Sequence, residues 1–82
     1  MSSLSKLVEF VVFSIVDDTE NVLIEEEEAA GGILFRITVS KDDTGKLIGK
    51  KGRVAEALRT IAKAAGAKQG IRVLVSVMKE PL

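Results

Sequence analysis

The chain has 82 residues with no cysteine, histidine, tryptophan or tyrosine, and its twelve basic and twelve acidic side chains cancel. That composition excludes a disulfide framework, a thiolate or imidazole metal centre, and a nucleophile or general base of the usual Cys or His kind. The length suits one domain, expected over residues 1–82 with an ordered core at about 4–79, and leaves little room for the deep pocket that a carboxylate enzyme needs. No catalytic residue, metal ligand or cofactor is therefore expected.

The charge is unevenly spread. Residues 1–40 carry two cations (Lys6, Arg36) and eight carboxylates, whereas residues 41–82 carry ten cations and four carboxylates. Such a split points either to a polyanionic partner or to neutralisation of one half by the other across the fold. No apolar run reaches the roughly 20 residues that span a bilayer. Glu9 and Ser14 interrupt the N-terminal apolar segment, so it does not read as a secretory leader, and the cytoplasm is the expected location.

Leu4, Leu7, Val8, Val11, Val12 and Ile15 recur at the spacing of an amphipathic helix over residues 4–15. Phe10 and Phe13 fall off that stripe and predict a helix covered on more than one side; with Phe35 they are assigned to the core. Asp17, Asp18, Thr19 and Asn21 form a stop. Residues 22–28 begin as a strand and end in Glu25–Glu28, Ala29-Ala30-Gly31-Gly32 turns the chain, and residues 33–40 alternate with Ile33, Phe35, Ile37 and Val39 inward. These two strands are expected to form a hairpin. Asp42 or Asp43 is expected to cap a short helix, which Gly49 and Gly52 interrupt after Ile48. A longer helix follows from about Arg53 to Ala65, with Val54, Ala57, Leu58, Ile61, Ala62 and Ala65 as its apolar face and Gly66 as its cap. Ile71 to Met78 alternates again, with Ile71, Val73, Val75 and Val77 inward and Pro81 beyond. The expected fold is α+β, ordered α-β-β-α-α-β, with a three-stranded sheet and helices packed on one face.

The segment Gly45-Lys46-Leu47-Ile48-Gly49-Lys50-Lys51-Gly52-Arg53 joins the two later helices. It is no Walker A loop, because only three residues separate Gly45 from Gly49 and no hydroxyl follows the lysine. It is no dinucleotide fingerprint either, which needs a preceding strand and a longer βαβ unit. It is a G-x-x-G turn. Missing Cβ atoms let a phosphodiester backbone approach, the next helix presents unpaired N–H groups at the same place, and Lys50, Lys51 and Arg53 add charge. Ile48 and Val54 are candidates for the floor of an adjoining groove. Contacts of this kind set affinity and register more than base choice. A tight interhelical turn with no ligand is the plain alternative, although such a turn has no need of two lysines between its glycines.

In this context the chain resembles the KH domain of type II topology, over nearly its whole length. It is most similar to the small single-domain bacterial KH proteins of the KhpA kind. The resemblance rests on the run Gly45 to Arg53 and on the Ala-rich helix Arg59 to Ala65. It implies non-catalytic binding of single-stranded RNA by a loop that clamps about four nucleotides, through Ile48, Gly49, Lys50, Lys51, Gly52 and Arg53. It also implies a role as an RNA chaperone or post-transcriptional regulator, a homodimer or a second KH-containing (KhpB or Jag-like) partner, and a link to cell elongation and shape.

Three features stay open at this level. Glu25–Glu28 would repel RNA if they bordered the groove; on a strand only alternate pairs share a side, which favours solvated charge, or a guard against edge pairing, over a metal site. Lys46, Arg59, Lys63 and Lys68 read singly as a solvated helix face and together as an extension of the positive surface. Leu74, Met78 and Leu34 lie opposite the core as scattered apolar residues or as an interface, and in the latter case the chain is chiefly a protein-interaction module. Without Trp or Tyr, base-stacking platforms of the RRM or OB kind are not expected.

Overall fold

The computed structural model describes residues 3–29 and 31–78. Helix α1 runs Ser3–Ile15 and buries Leu4, Val8 and Val12. The off-stripe phenylalanines are not in the core: Phe10 is 71% and Phe13 42% exposed. At 3.6 residues per turn they leave the buried stripe, and α1 is covered on one side only. A 3₁₀ turn at Thr19–Asn21 follows.

Strand β1 (Leu23–Ala29) pairs antiparallel with β2 (Gly32–Thr38) in the expected hairpin, in a register that sets Ile24 opposite Ile37 and Glu26 opposite Phe35. Strand β3 (Arg72–Val77) lies parallel to β2, with Phe35 opposite Val75, so the sheet order is β1-β2-β3. A parallel neighbour demands a long crossover, and helices α2 (Lys41–Ile48) and α3 (Arg53–Lys68) supply it. Ala30 and Pro81, which the sequence assigns to the hairpin turn and to the segment beyond β3, lie outside the described residues.

The core joins Leu4, Val8 and Val12 of α1 to Phe35, Ile37 and Val39, to Leu47, to Leu58 and Ala62, and to Val73 and Val75. Each fully buried side chain of this size contributes about 1.5–3 kcal/mol. On the other face of the sheet Leu34 lies directly opposite Leu74, and both are half-buried.

Two helix ends differ from the sequence-based expectation. The N-cap of α2 is Ser40, not Asp42 or Asp43: its side chain accepts from the Asp43 N–H, because the cap must precede the first helical residue. Helix α3 continues through Gly66, and its buried face is Ala55, Leu58, Ala62 and Gly66, leaving Ile61 45% exposed. A Cβ on Gly66 would sit 2.7 Å from the Ile71 carbonyl oxygen, so this glycine lets α3 lie close against β3. The chain turns instead at Gly70, where Ile71 N–H donates to Gly66 O at 2.8 Å and Gly70 N–H to Ala67 O at 3.0 Å, the paired bonds of a Schellman stop.

Candidate nucleic-acid interface

Helix α2 closes with Gly49 N–H donating to Gly45 O at 2.9 Å. Gly49 then adopts φ 76°, ψ 176°, a region open essentially to glycine alone. A Cβ there would also lie 2.9 Å from Val54 Cβ and 3.0 Å from Val54 N. One 3₁₀ turn, Lys50–Gly52, completes the loop, with Gly52 N–H donating to Gly49 O at 3.2 Å. Gly52 is left-handed (φ 73°, ψ 15°), but a Cβ there would meet nothing within 4 Å. The first glycine is thus fixed by packing from within, and the second keeps an open approach from outside.

Between them Lys51 also sits at positive φ (57°, ψ 24°), alone among the described non-glycine residues. A left-handed conformation costs an L-residue about 1–2 kcal/mol. The strain puts a lysine side chain on the tip of the loop. Lys50, Lys51 and Arg53 are exposed, and their side chains form no hydrogen bond or ion pair among the described residues. Helix α3, sixteen residues long, starts at this point with no side-chain cap. Its first turn therefore presents the positive end of its dipole beside three free cations. Ile48 and Val54 are half-buried next to the loop, and Leu47 anchors it in the core. All seven sequence-designated residues, Ile48 to Val54, are thus contiguous around one turn.

Strand order sets the glutamate run apart from this loop, although Glu25 stands in the row of Ser76, near the Val77 end. Arg59 and Gly66 contact Val75 and Val73 in turn, so α3 runs antiparallel to β3 and its N-terminus lies at the Val77 end of the sheet. Glu28 is opposite Ile33, in the row of Val73 at the other end, and β1 is the strand farthest from β3.

Sequence reasoning missed the device that seats α2. The Asp43 carboxylate, 2% exposed, accepts from Asp17 N–H at 3.1 Å and Asp18 N–H at 2.9 Å, and from the Ser40 hydroxyl at 3.1 Å. Lys46 Nζ lies 3.8 Å from it and pairs with Asp17. The two backbone donors, Asp18 first, hold the Asp43 carboxyl below its ordinary value of 3.8; burial opposes them, and Ser40 and Lys46 reinforce them. The hydrogen bond to Asp17 raises Lys46 above 10.5. The clamp ties the segment after α1 to the first turn of α2, and it removes Lys46 from the free positive surface. The Ser-x-x-Asp spacing of residues 40–43 was the legible signal. Arg59 is engaged too, donating from Nε to Val75 O at 3.2 Å and lying 3.5 Å from Glu56.

A G-x-x-G turn between two helices, set in an α-β-β-α-α-β frame with a mixed three-stranded sheet, defines a KH-type domain. The family model described as "KhpA/KhpB, KH domain" matches residues 5–77, and the chain belongs to that family. Among curated proteins it is similar to the RNA-binding protein KhpA of Clostridium perfringens, 40% identical over 75 residues, which are 92% of this chain and all of the relative. The RNA-binding protein KhpA of Aquifex aeolicus is 38% identical over 79 residues, 96% of this chain and all of the relative. That of Listeria monocytogenes is 34% identical over 76 residues, 93% of this chain and all of the relative. The family is one of binding domains, not of enzymes. No helix among the described residues is long and apolar enough to cross a membrane.

Proposed function

We propose that the chain binds single-stranded RNA by gripping its backbone at Gly49–Gly52, with Lys50, Lys51 and Arg53 neutralising phosphates and Ile48 and Val54 flooring the groove for bases. The observation that carries this reading is the coincidence at one point of an open glycine turn, an uncapped sixteen-residue helix and three unpaired cations. The names of the curated relatives support it. Binding is weak for one copy and strongly salt-dependent: three phosphate contacts at about −0.7 each give a log–log slope of roughly −2. Pairing with a second copy, or with a second KH-containing protein of the KhpB kind, raises affinity through effective concentration. The cellular role that fits is that of a cytoplasmic RNA chaperone or post-transcriptional regulator acting on cell elongation.

The test is the double variant Lys50→Asp, Lys51→Asp. Fluorescence anisotropy with a single-stranded RNA should show affinity down by at least about a hundredfold, with the circular dichroism spectrum and Tm unchanged. Unaltered affinity in the folded variant rejects the clamp. The Leu34–Leu74 pair on the open sheet face, with Met78 39% exposed, favours a second reading as an interaction module. In that case Leu74→Ser changes the mass seen by light scattering while RNA binding is negligible in every form.

A further inference from the structure

The two edges of the sheet are finished differently. At β3, helix α3 packs alongside and Arg59 bonds the main-chain carbonyl of Val75. At β1, no other element among the described residues bonds the backbone of Leu23–Ala29 beyond its ladder to β2. Alternate residues of an antiparallel edge strand direct N–H and C=O outward, and these form a template for another strand. Apolar side chains flank this template at one end on both faces. Leu23 is 53% exposed on the outer face, and on the helix side Phe13, Val22 and Ile24 line a depression between α1 and β1 whose polar wall includes Glu9.

Charge decides the occupant. Beyond Leu23 and Ile24 the edge carries four consecutive glutamates, two on each face. Glu26 and Glu28 stand on the face of Ile24 yet remain exposed, and Glu25 and Glu27 stand on the other, where Glu27 pairs with Arg36 at 2.9 Å, the one ion pair of the run among the described residues. A second copy pairing through its own β1 would set glutamates against glutamates, which destabilises the pair. A strand with lysine or arginine at successive positions meets carboxylates on both faces and lays its aliphatic stems on Phe13 and Leu23.

We infer that the free edge of β1 takes up a basic, extended segment of another protein by strand addition, with apolar residues beside Leu23–Ile24 and cations beside Glu25–Glu28. The mode is β-augmentation: main-chain bonds provide affinity and alternate side chains provide selection. This edge lies across the sheet from the glycine loop and is opposite to it in sign, so the loop stays accessible when the edge is filled.

The test uses the isotope-labelled full chain and two capped octapeptides, one joining a run of valines to a run of lysines and one joining a run of valines to a run of glutamates. The lysine peptide should shift the amides of Leu23–Ala29 and Phe13 saturably and slow their hydrogen exchange. Its binding should weaken with salt and exceed that of the glutamate peptide by at least about tenfold. Glu26→Lys with Glu28→Lys should abolish the response while anisotropy with single-stranded RNA is unchanged. The inference is overturned if the lysine peptide at millimolar concentration leaves the β1 amides unmoved, if its shifts gather at Asp17, Asp18 and Asp42 instead, or if the glutamate peptide binds as well. It is equally overturned if a single-stranded RNA, and not the peptide, perturbs β1.

Discussion

Gly49 lies so close under Val54 that a methyl group on the glycine would stand 2.9 Å from Val54 Cβ and 3.0 Å from Val54 N. The loop's shape is therefore locked from the protein side, whereas Gly52 faces open space. The two glycines should separate in their substitution costs. Gly49→Ala meets both a glycine-only backbone region and a packing overlap, and should lose about 2–4 kcal/mol. Gly52→Ala meets only the left-handed penalty of about 1–2 kcal/mol. Thermal melts should rank them in that order, and Gly52→Asn, whose side chain tolerates the left-handed region, should be milder still. RNA anisotropy should show that both Gly52 variants, though folded, bind poorly.

Lys51 trades stability for reach. Its φ of 57° suits glycine better than lysine, so Lys51→Gly should hold or raise Tm while removing one cation. RNA affinity should fall about threefold to tenfold, and the salt slope should flatten by about 0.7. A fall in Tm would show that the lysine side chain contributes to the fold, not to the ligand.

The Asp43 clamp makes a pH-dependent contribution of known sign. A carboxyl held below 3.8 by the Asp18 and Asp17 amides adds stability that is fully present above 3.8 and is lost as pH falls through its depressed folded value. Lys46, raised by Asp17, contributes below 10.5 and stops contributing as pH rises through its elevated value. Asp43→Asn should lower Tm by several degrees at neutral pH, and the gap to the parent chain should narrow in acid. Because the clamp seats α2, the variant should also loosen the loop, seen as faster hydrogen exchange at Gly49 and Lys50.

The element order and the loop were legible because their signals are local. Period-two alternation marks Phe35, Ile37, Val73 and Val75 as inward, and the glycine spacing marks a turn whatever surrounds it. What escaped depends on partners far apart in sequence. Nothing near Phe10 says that α1 is covered on one side. Gly66 reads as a helix stop until β3 is seen to press against it. Asp43 reads as a cap because its true partners, the amides of Asp17 and Asp18, arrive from across the hairpin. In each case tertiary contact overrode a local preference.

The crossover between β2 and β3 has a kinetic consequence. Phe35 and Val75 are neighbours across the sheet although forty positions separate them, and the glycine turn sits near the middle of that excursion. Helices α2 and α3 and the turn between them can form from local contacts, but they are seated on a complete sheet only when β3 docks beside β2, the least local and slowest class of pairing. Grip on a ligand should therefore emerge with the last phase of refolding, after helical content has recovered. Stopped-flow circular dichroism and fluorescent RNA, followed side by side, should show the two signals arriving in that order.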